Sequence, residues 1–399
     1  MNSPSGLARP ARRKRVLFVD DQPNVAKTLS SLLPKDEFEV RFAESGDKGL
    51  ERLRAEVFDL AIVDLRMPPE PWGGLWLLRE LQSLGLKCDA LVLSGEAGQK
   101  ETIDALRLGA LDFVIKENAA TELADRVSKA LADAESARAI YAEREIVSPI
   151  ALSYARTKSS KEAEGQLRAG LMCVESVLRF CALAGIAVIR ATKKLNDGLL
   201  DRLGTPSTGT WLELCEAVAP QIGESPFSRW LQAVTRKESR ILVEYRNDVH
   251  HGGGIPSVGI KTASAQIANW LDYFVLAAVS GTSIELLVAG TMTSSRGSFQ
   301  VEWERLGGIG SARNRITAEL PQAPSSGQVY LRVGEHYINT WPYLLTEPDG
   351  SVGGWQVSVL DGIRREHRNM TAPKARLRFV NLMTGTRFNS PDLTVADLS

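Results

Sequence analysis

The first third of the chain alternates short, unbroken apolar runs with longer stretches of helical spacing. Val16-Leu17-Phe18-Val19, Leu60-Ala61-Ile62-Val63, Leu91-Val92-Leu93 and Phe113-Val114-Ile115 carry no polar residue. An apolar run of strand length without alternation predicts a strand covered on both faces, as in a parallel sheet. A further strand is predicted near residue 39, and helices over Pro23–Leu33, Gly46–Glu56, Gly74–Leu84 and Lys100–Leu108. This alternation predicts a doubly wound, five-stranded α/β sheet. From Thr121 to about Ile146 there is neither Gly nor Pro, and Leu123, Val127, Leu131, Ala134, Ala137 and Tyr141 recur at helical spacing. A long helix is predicted there, its charged second half Asp133–Glu145 serving as a signal-bearing connector or a solvated spacer. Ser148-Pro149 marks its end.

The pattern then changes twice. Gln166–Ala191, Thr210–Val218, Pro226–Val249 and Ser257–Val279 are predicted helices, which suggests an all-α bundle. Beyond residue 282 helical periodicity fades, and Ile284–Val288, Phe299–Trp303, Gln328–Val333, Trp355–Val359 and Arg376–Val380 are predicted strands, with Pro348-Asp349-Gly350 as a turn. The expected organisation is a disordered tail over 1–13, an α/β domain over 14–130, a helical connector over 131–149, a helical bundle over 150–282 and a small β-rich domain over 283–399.

Composition narrows the class. The 48 basic and 48 acidic residues cancel, which argues against nucleic-acid binding by overall charge but leaves local patches open. The basic run Arg12-Arg13-Lys14-Arg15 is either such a patch or a solvated strand flank. Cys88, Cys173, Cys181 and Cys215 show no CxxC pairing and are expected as reduced core residues. No segment reaches the ~18 uncharged apolar residues of a membrane span, Leu183–Ile189 being the nearest. The polar start and the short first apolar run predict a cytoplasmic chain.

Candidate chemistry sits at the strand ends. Asp20 and Asp21 follow the first run, Asp64 the second, Ser94 the third and Lys116 the fourth. These groups would gather at the carboxyl edge of one sheet. Three neighbouring carboxylates call for a hard cation among them, Mg²⁺ above all. One outward carboxylate could attack a phosphoryl donor. This set, with Met67-Pro68, resembles the receiver domain of two-component response regulators over roughly residues 14–130, which has a flavodoxin-like sheet. The resemblance implies Asp64 as phosphate acceptor, Asp21, Asp20, Asp64 and the Arg66 carbonyl as the Mg²⁺ site, Ser94 and Lys116 on the phosphoryl oxygens, and Phe113 as the switching aromatic. It also implies a sensor histidine kinase or phosphotransfer protein as partner. Two departures stand out. The family glycine falls at Gly74, which makes the loop Pro69-Glu70-Pro71-Trp72 about two residues longer, and Glu117 replaces the usual proline after the lysine.

A second resemblance lies in the helical segment. Arg246-Asn247-Asp248-Val249-His250-His251 is stopped by Gly252, Gly253 and Gly254. Arg246, Asn247 and His251 resemble the motif of HEPN domains, four-helix bundles that include dimeric, metal-independent ribonucleases. The implied roles are His251 as acid or base on an RNA hydroxyl, Arg246 on the phosphate and Asn247 as polar support; a homodimer is expected. The alternative is an ion pair of Arg246 with Glu244 or Asp248 and histidines that merely cap the helix. In the β-rich segment Trp341, Tyr343 and Trp355 form a core or a binding face, Arg364, Arg365, Arg368, Arg376 and Arg378 a solvated strand face or a phosphate patch, and His336 and His367 lack metal-ligand spacing. The expected function is a phosphorelay response regulator acting on a HEPN-like output, either a ribonuclease or a non-catalytic module that binds protein or DNA.

Overall fold

Each of the four apolar runs lies in a strand of the computed structural model, which describes residues 12–95, 99–192, 199, 202–223, 225–250, 258–281, 283–295, 297–309, 314–349, 354–364, 374–381 and 384–398. The chain divides into two units, one within Met1–Ile140 and Val275–Thr282, the other within Tyr141–Phe274 and Ser283–Ser399.

In the first unit β1 (Lys14–Val19), β2 (Phe38–Ala43), β3 (Leu60–Asp64), β4 (Ala90–Ser94) and β5 (Ala110–Ile115) pair in parallel in the order β2-β1-β3-β4-β5. The expected doubly wound sheet is thus present. Successive side chains of a strand point to opposite faces, and both faces are covered here. Val16, Phe18, Leu60 and Ile62 pack with Leu29 of α1 (Pro23–Ser30) and with Leu123 and Val127 of α5 (Ala119–Arg144). Leu17, Val19, Ala61 and Val63 pack with Leu50 and Leu53 of α2 (Gly46–Ala55) and with Leu77 and Leu81 of α3 (Gly73–Ser83). A fourth helix, α4 (Gln99–Arg107), precedes β5. In the basic run that leads into β1, Arg13 is exposed, but its neighbours are tied into ion pairs and form neither a free patch nor a solvated flank. Arg12 donates from both terminal nitrogens to Asp59 at 2.7 and 2.8 Å, Lys14 pairs with Glu135, and Arg15 pairs with Glu56.

In the second unit the helices are α6 (Ser148–Ser159), α7 (Ala163–Thr192), α8 (Thr208–Ile222), α9 (Pro226–Val234), α10 (Lys237–His250) and most of α11 (Ile260–Val279). Ser148-Pro149 opens α6 instead of only closing the connector, because proline suits the first helical turn. The helix expected over 226–249 is two, broken after Val234, with Ser225 capping the first through the Phe227 N–H. Helix α7 is long and apolar enough to cross a membrane, but 78% of its most apolar stretch is buried within the protein, so it serves as a core helix.

Two antiparallel sheets complete this unit, ordered β10-β9-β6-β7-β8 and β11-β12-β13-β14. Their strands are β6 (Ile284–Ser295), β7 (Ser298–Arg305), β8 (Arg315–Leu320), β9 (Val329–Val333), β10 (His336–Asn339), β11 (Leu344–Asp349), β12 (Gly354–Arg364), β13 (Arg376–Asn381) and β14 (Arg387–Thr394). Four of them, β8, β10, β11 and β14, were not expected. The residues expected as a turn at Pro348-Asp349 pair with Trp355 and Gly354, and the proline is tolerated because β11 is an edge strand. Helices and sheets do not form separate bodies on either side of residue 282. Ile363 N–H donates to Gly204 O at 2.9 Å, and the Arg190 guanidinium donates to Trp341 O at 3.0 Å. Tyr343 is fully buried, its hydroxyl donating to Leu398 O, whereas Trp341 and Trp355 are half-buried. All four cysteines are free, three of them buried as expected, and burial pushes the Cys173 thiol up to about 12.

Candidate functional site

The acidic edge forms because β1 and β3 are neighbours. Asp20 follows the end of β1, Asp64 ends β3, and Lys116 follows β5, so parallel strands deliver all three to the same carboxyl edge. Single carboxylate oxygens of Asp20, Asp21 and Asp64 lie within 4.8 Å of one another. Asp20 and Asp64 are buried, at 3% and 4% exposure, while Asp21 faces solvent. Lys116 Nζ bridges the buried pair, 2.8 Å from Asp20 Oδ2 and 3.0 Å from Asp64 Oδ2. The Gln22 N–H donates to Asp20 Oδ1 at 2.8 Å, and the Arg66 N–H reaches Asp64 Oδ1 at a long 3.4 Å.

Burial pushes the Asp64 carboxyl up, the Lys116 ammonium pulls it back, and the Asp20 charge adds to the rise, so it stays above the ordinary range. For Lys116 burial acts downward, but the two carboxylates outweigh it and hold the ammonium above its usual value. The site therefore concentrates negative charge, with one oxygen of Asp64 only weakly engaged.

The glycine pair Gly73-Gly74 seats α3 against the end of β3. The Gly74 N–H donates to Leu65 O at 3.2 Å, and a Cβ there would lie 2.2 Å from Asp64 O. The longer loop is accommodated outward: Pro69, Glu70 and Pro71 are exposed, while the Gly73 N–H donates to Met67 O at 2.8 Å beneath them. Gly74 thus keeps its close approach despite the altered spacing. Ser94 ends β4 opposite Ile115, its side chain outside the described residues, and Phe113 on β5 is 40% exposed. Arg66 is exposed.

The second candidate set is only partly brought together. Arg246 and Asn247 lie near the end of α10, Asn247 is exposed, and His251 lies outside the described residues. Among the described residues Arg246 pairs with neither Glu244 nor Asp248 of its own helix; its Nε donates to Glu175 Oε2 of α7 at 3.1 Å. Of the basic residues in the β-rich segment, Arg365 and Arg368 lie outside the described residues, with His367. Arg378 is not a solvated face residue but pairs with Asp361 at 3.3 Å. Sequence reasoning missed Glu175, Asp361 and Asp59. For Glu175 a signal existed, since Glu175 and Arg179 are four apart in the long apolar helix α7 and bond at 2.6 Å. Asp59, fully buried, had a weaker one in its place immediately before an apolar run.

Comparison with known proteins bears on the first unit. The response regulator receiver domain family matches residues 16–128. The transcriptional regulatory protein DltR of Streptococcus agalactiae serotype III is 30% identical over 113 residues, 28% of this chain and 50% of that protein. The transcriptional regulatory protein ZraR of Escherichia coli K12 is 33% identical over 121 residues, 30% of this chain and 27% of that protein. The chain therefore spans half the length of the first relative and about a quarter of the second. A CheY-like receiver domain structure from Methanospirillum hungatei JF-1 covers 31% of this chain and 98% of its own, with 25% identity and a TM-score of 0.29. The N-terminal part of this chain is accordingly a response regulator receiver domain, a module phosphorylated on aspartate in two-component signalling.

Proposed function

We propose that a sensor histidine kinase or phosphotransfer protein transfers a phosphoryl group to Asp64, and that this governs the unit of helices and antiparallel sheets that follows. The observation that carries this reading is the Lys116 bridge between Asp20 and Asp64 at 2.8 and 3.0 Å. It ties down one oxygen of Asp64 and leaves Oδ1 as the nucleophile. Three carboxylates against one ammonium leave two negative charges uncompensated, and the hard oxygen donors fit Mg²⁺. Asp20, Asp21, Asp64 and the Arg66 carbonyl would hold the ion, which when bound offsets charge on the transferring phosphoryl group. Asp64 Oδ1 attacks phosphorus as the donor leaves, and Lys116 holds its place beside the growing charge. The new phosphoryl group brings about −1.5 to −2 charges, which Lys116 and Ser94 grip. Phe113 follows Ser94, and the β4–β5 side of the domain shifts.

For the output, a HEPN-like bundle acting as a homodimer is part of the proposal, with Arg246, Asn247 and His251 as the candidate ribonuclease motif. The support is that Glu175 fixes Arg246 close to the end of α10. Intact-mass measurement after incubation with acetyl phosphate and magnesium tests the receiver reading. One phosphoryl mass is expected in the parent and none in Asp64→Asn; a gain unchanged in that variant overturns it. Cleavage of RNA that disappears in His251→Ala supports the nuclease output, and no cleavage in either phosphorylation state assigns a non-catalytic one.

A further inference from the structure

The second unit holds a charged seam that the receiver does not use. Arg179 of α7 bonds Glu175 at 2.6 Å and reaches Asp361 of β12 at 3.1 Å. Asp361 is 3% exposed and yet serves two more guanidiniums, Arg378 of β13 at 3.3 Å and Arg387 of β14 at 2.7 Å. Glu175 serves Arg246 of α10 and the Thr208 hydroxyl, both at 3.1 Å, besides Arg179. Burial pushes Glu175 up, but Arg179 and Arg246 outweigh it and hold the carboxyl below its usual range. Among the described residues four guanidiniums thus share two carboxylates, a surplus of two positive charges. A purely structural bridge gains nothing from that surplus, because half-buried like charges repel and lose hydration.

The two outer arginines are anchored by the same atom. Arg246 donates through Nε to Glu175, and Arg387 through Nε to Asp361. Among the described residues the terminal nitrogens of both have no hydrogen-bond partner, and the side chains are 23% and 61% exposed. A guanidinium held by Nε keeps its terminal edge, two parallel N–H donors, for a bidentate oxyanion. Each fork rests on its own carboxylate, so the pair suits a ligand with more than one anionic group.

We propose that Arg246 and Arg387, oriented by the Glu175–Arg179–Asp361 bridge with its buried Arg179 and Asp361, bind a ligand bearing several phosphate groups. The site shares Arg246 with the nuclease reading and so rests on it in part, but it requires no cleavage and no part of His251. The phosphates come either from a compact polyphosphate, such as a nucleoside triphosphate, or from a phosphodiester chain.

Titration of the full chain with pyrophosphate, a nucleoside triphosphate and a labelled single-stranded oligonucleotide tests this. Saturable binding is expected, weakened roughly tenfold or more in Arg387→Ala and in Arg246→Ala, since charge-assisted hydrogen bonds contribute about 1.5–3 kcal/mol. Arg387→Lys is expected to recover only part, and Arg315→Ala, an exposed arginine on the other sheet, to change nothing. Equal affinity for pyrophosphate and the oligonucleotide assigns a compact polyphosphate, and preference for the oligonucleotide assigns a strand. Binding without cleavage sinks the nuclease reading and leaves this site standing. No saturable binding by any probe, or the same loss in Arg315→Ala as in Arg387→Ala, overturns the proposal. Because Arg387 is largely exposed, its alanine variant is expected to fold, with circular dichroism as the check.

Discussion

Replacing Lys116 with methionine isolates the charge balance of the receiver site. Methionine keeps much of the stem and removes the ammonium that Asp20 and Asp64 share. Their side chains are 2% and 5% exposed, so they cannot be solvated in its place. Removing one partner of a buried pair typically costs about 3–5 kcal/mol. One ammonium serving two carboxylates pushes toward the upper end, while its 18% exposure pushes toward the lower. A loss of about 3 kcal/mol is expected without divalent ion, or on the order of 10 °C in the melting of the receiver. Asp64→Asn should act in the opposite sense. The folded carboxyl of Asp64 lies above its ordinary pKa, so ionising it reduces stability as pH rises past that value. Removing the charge is therefore expected to stabilise the ion-free receiver at neutral pH. Magnesium should restore part of the Lys116→Met loss, about 2.7 kcal/mol at a hundredfold excess over its dissociation constant. Scanning calorimetry with and without magnesium reads all three effects. A Lys116→Met protein that melts with the parent in the absence of divalent ion, or an Asp64→Asn protein destabilised as strongly as Lys116→Met, refutes the reasoning.

Gly74→Ala would press a Cβ to 2.2 Å from Asp64 O and 2.8 Å from Leu65 Cα, backbone atoms that cannot rotate away. A loss at or above the usual 1–3 kcal/mol of overpacking is expected, together with slower uptake of phosphate from acetyl phosphate; a variant matching the parent in both would show that α3 does not need this approach. Asp59 is the test of acid stability. Burial pushes its carboxyl up, but the Arg12 fork and the Arg15 N–H outweigh it and hold the pKa low. Its contribution is therefore complete above the unfolded value near 3.9 and is lost as pH falls below that toward the folded value. Asp59→Asn should cost about 3–5 kcal/mol at pH 7 and flatten the acid limb of a stability–pH curve; an unchanged acid limb would contradict the pairing.

How much was legible varied along the chain. In the receiver, burial on both faces makes a strand wholly apolar, so Val16–Val19 and Leu60–Val63 announced both the strands and the acids that end them. A parallel sheet then carries those ends to one edge without further information. In the second unit the same method lost β8, β10, β11 and β14, since strands at or near sheet edges need little apolar sequence, as the exposed alternation of Arg315–Leu320 shows. The helix break after Val234 escaped as well, because no Gly or Pro marks it.

The sequence alone located the acidic edge on which the proposed phosphoryl transfer rests, because that edge depends on residue types at strand ends next to an apolar run. Tertiary structure alone decided which charges meet: Arg12 with Asp59 across 47 positions, and Arg246 with Glu175 across 71. Such pairs leave no periodic trace. A carboxylate's partner is settled by which elements pack together and by how far each buried charge lies from water, and neither quantity is local in the chain.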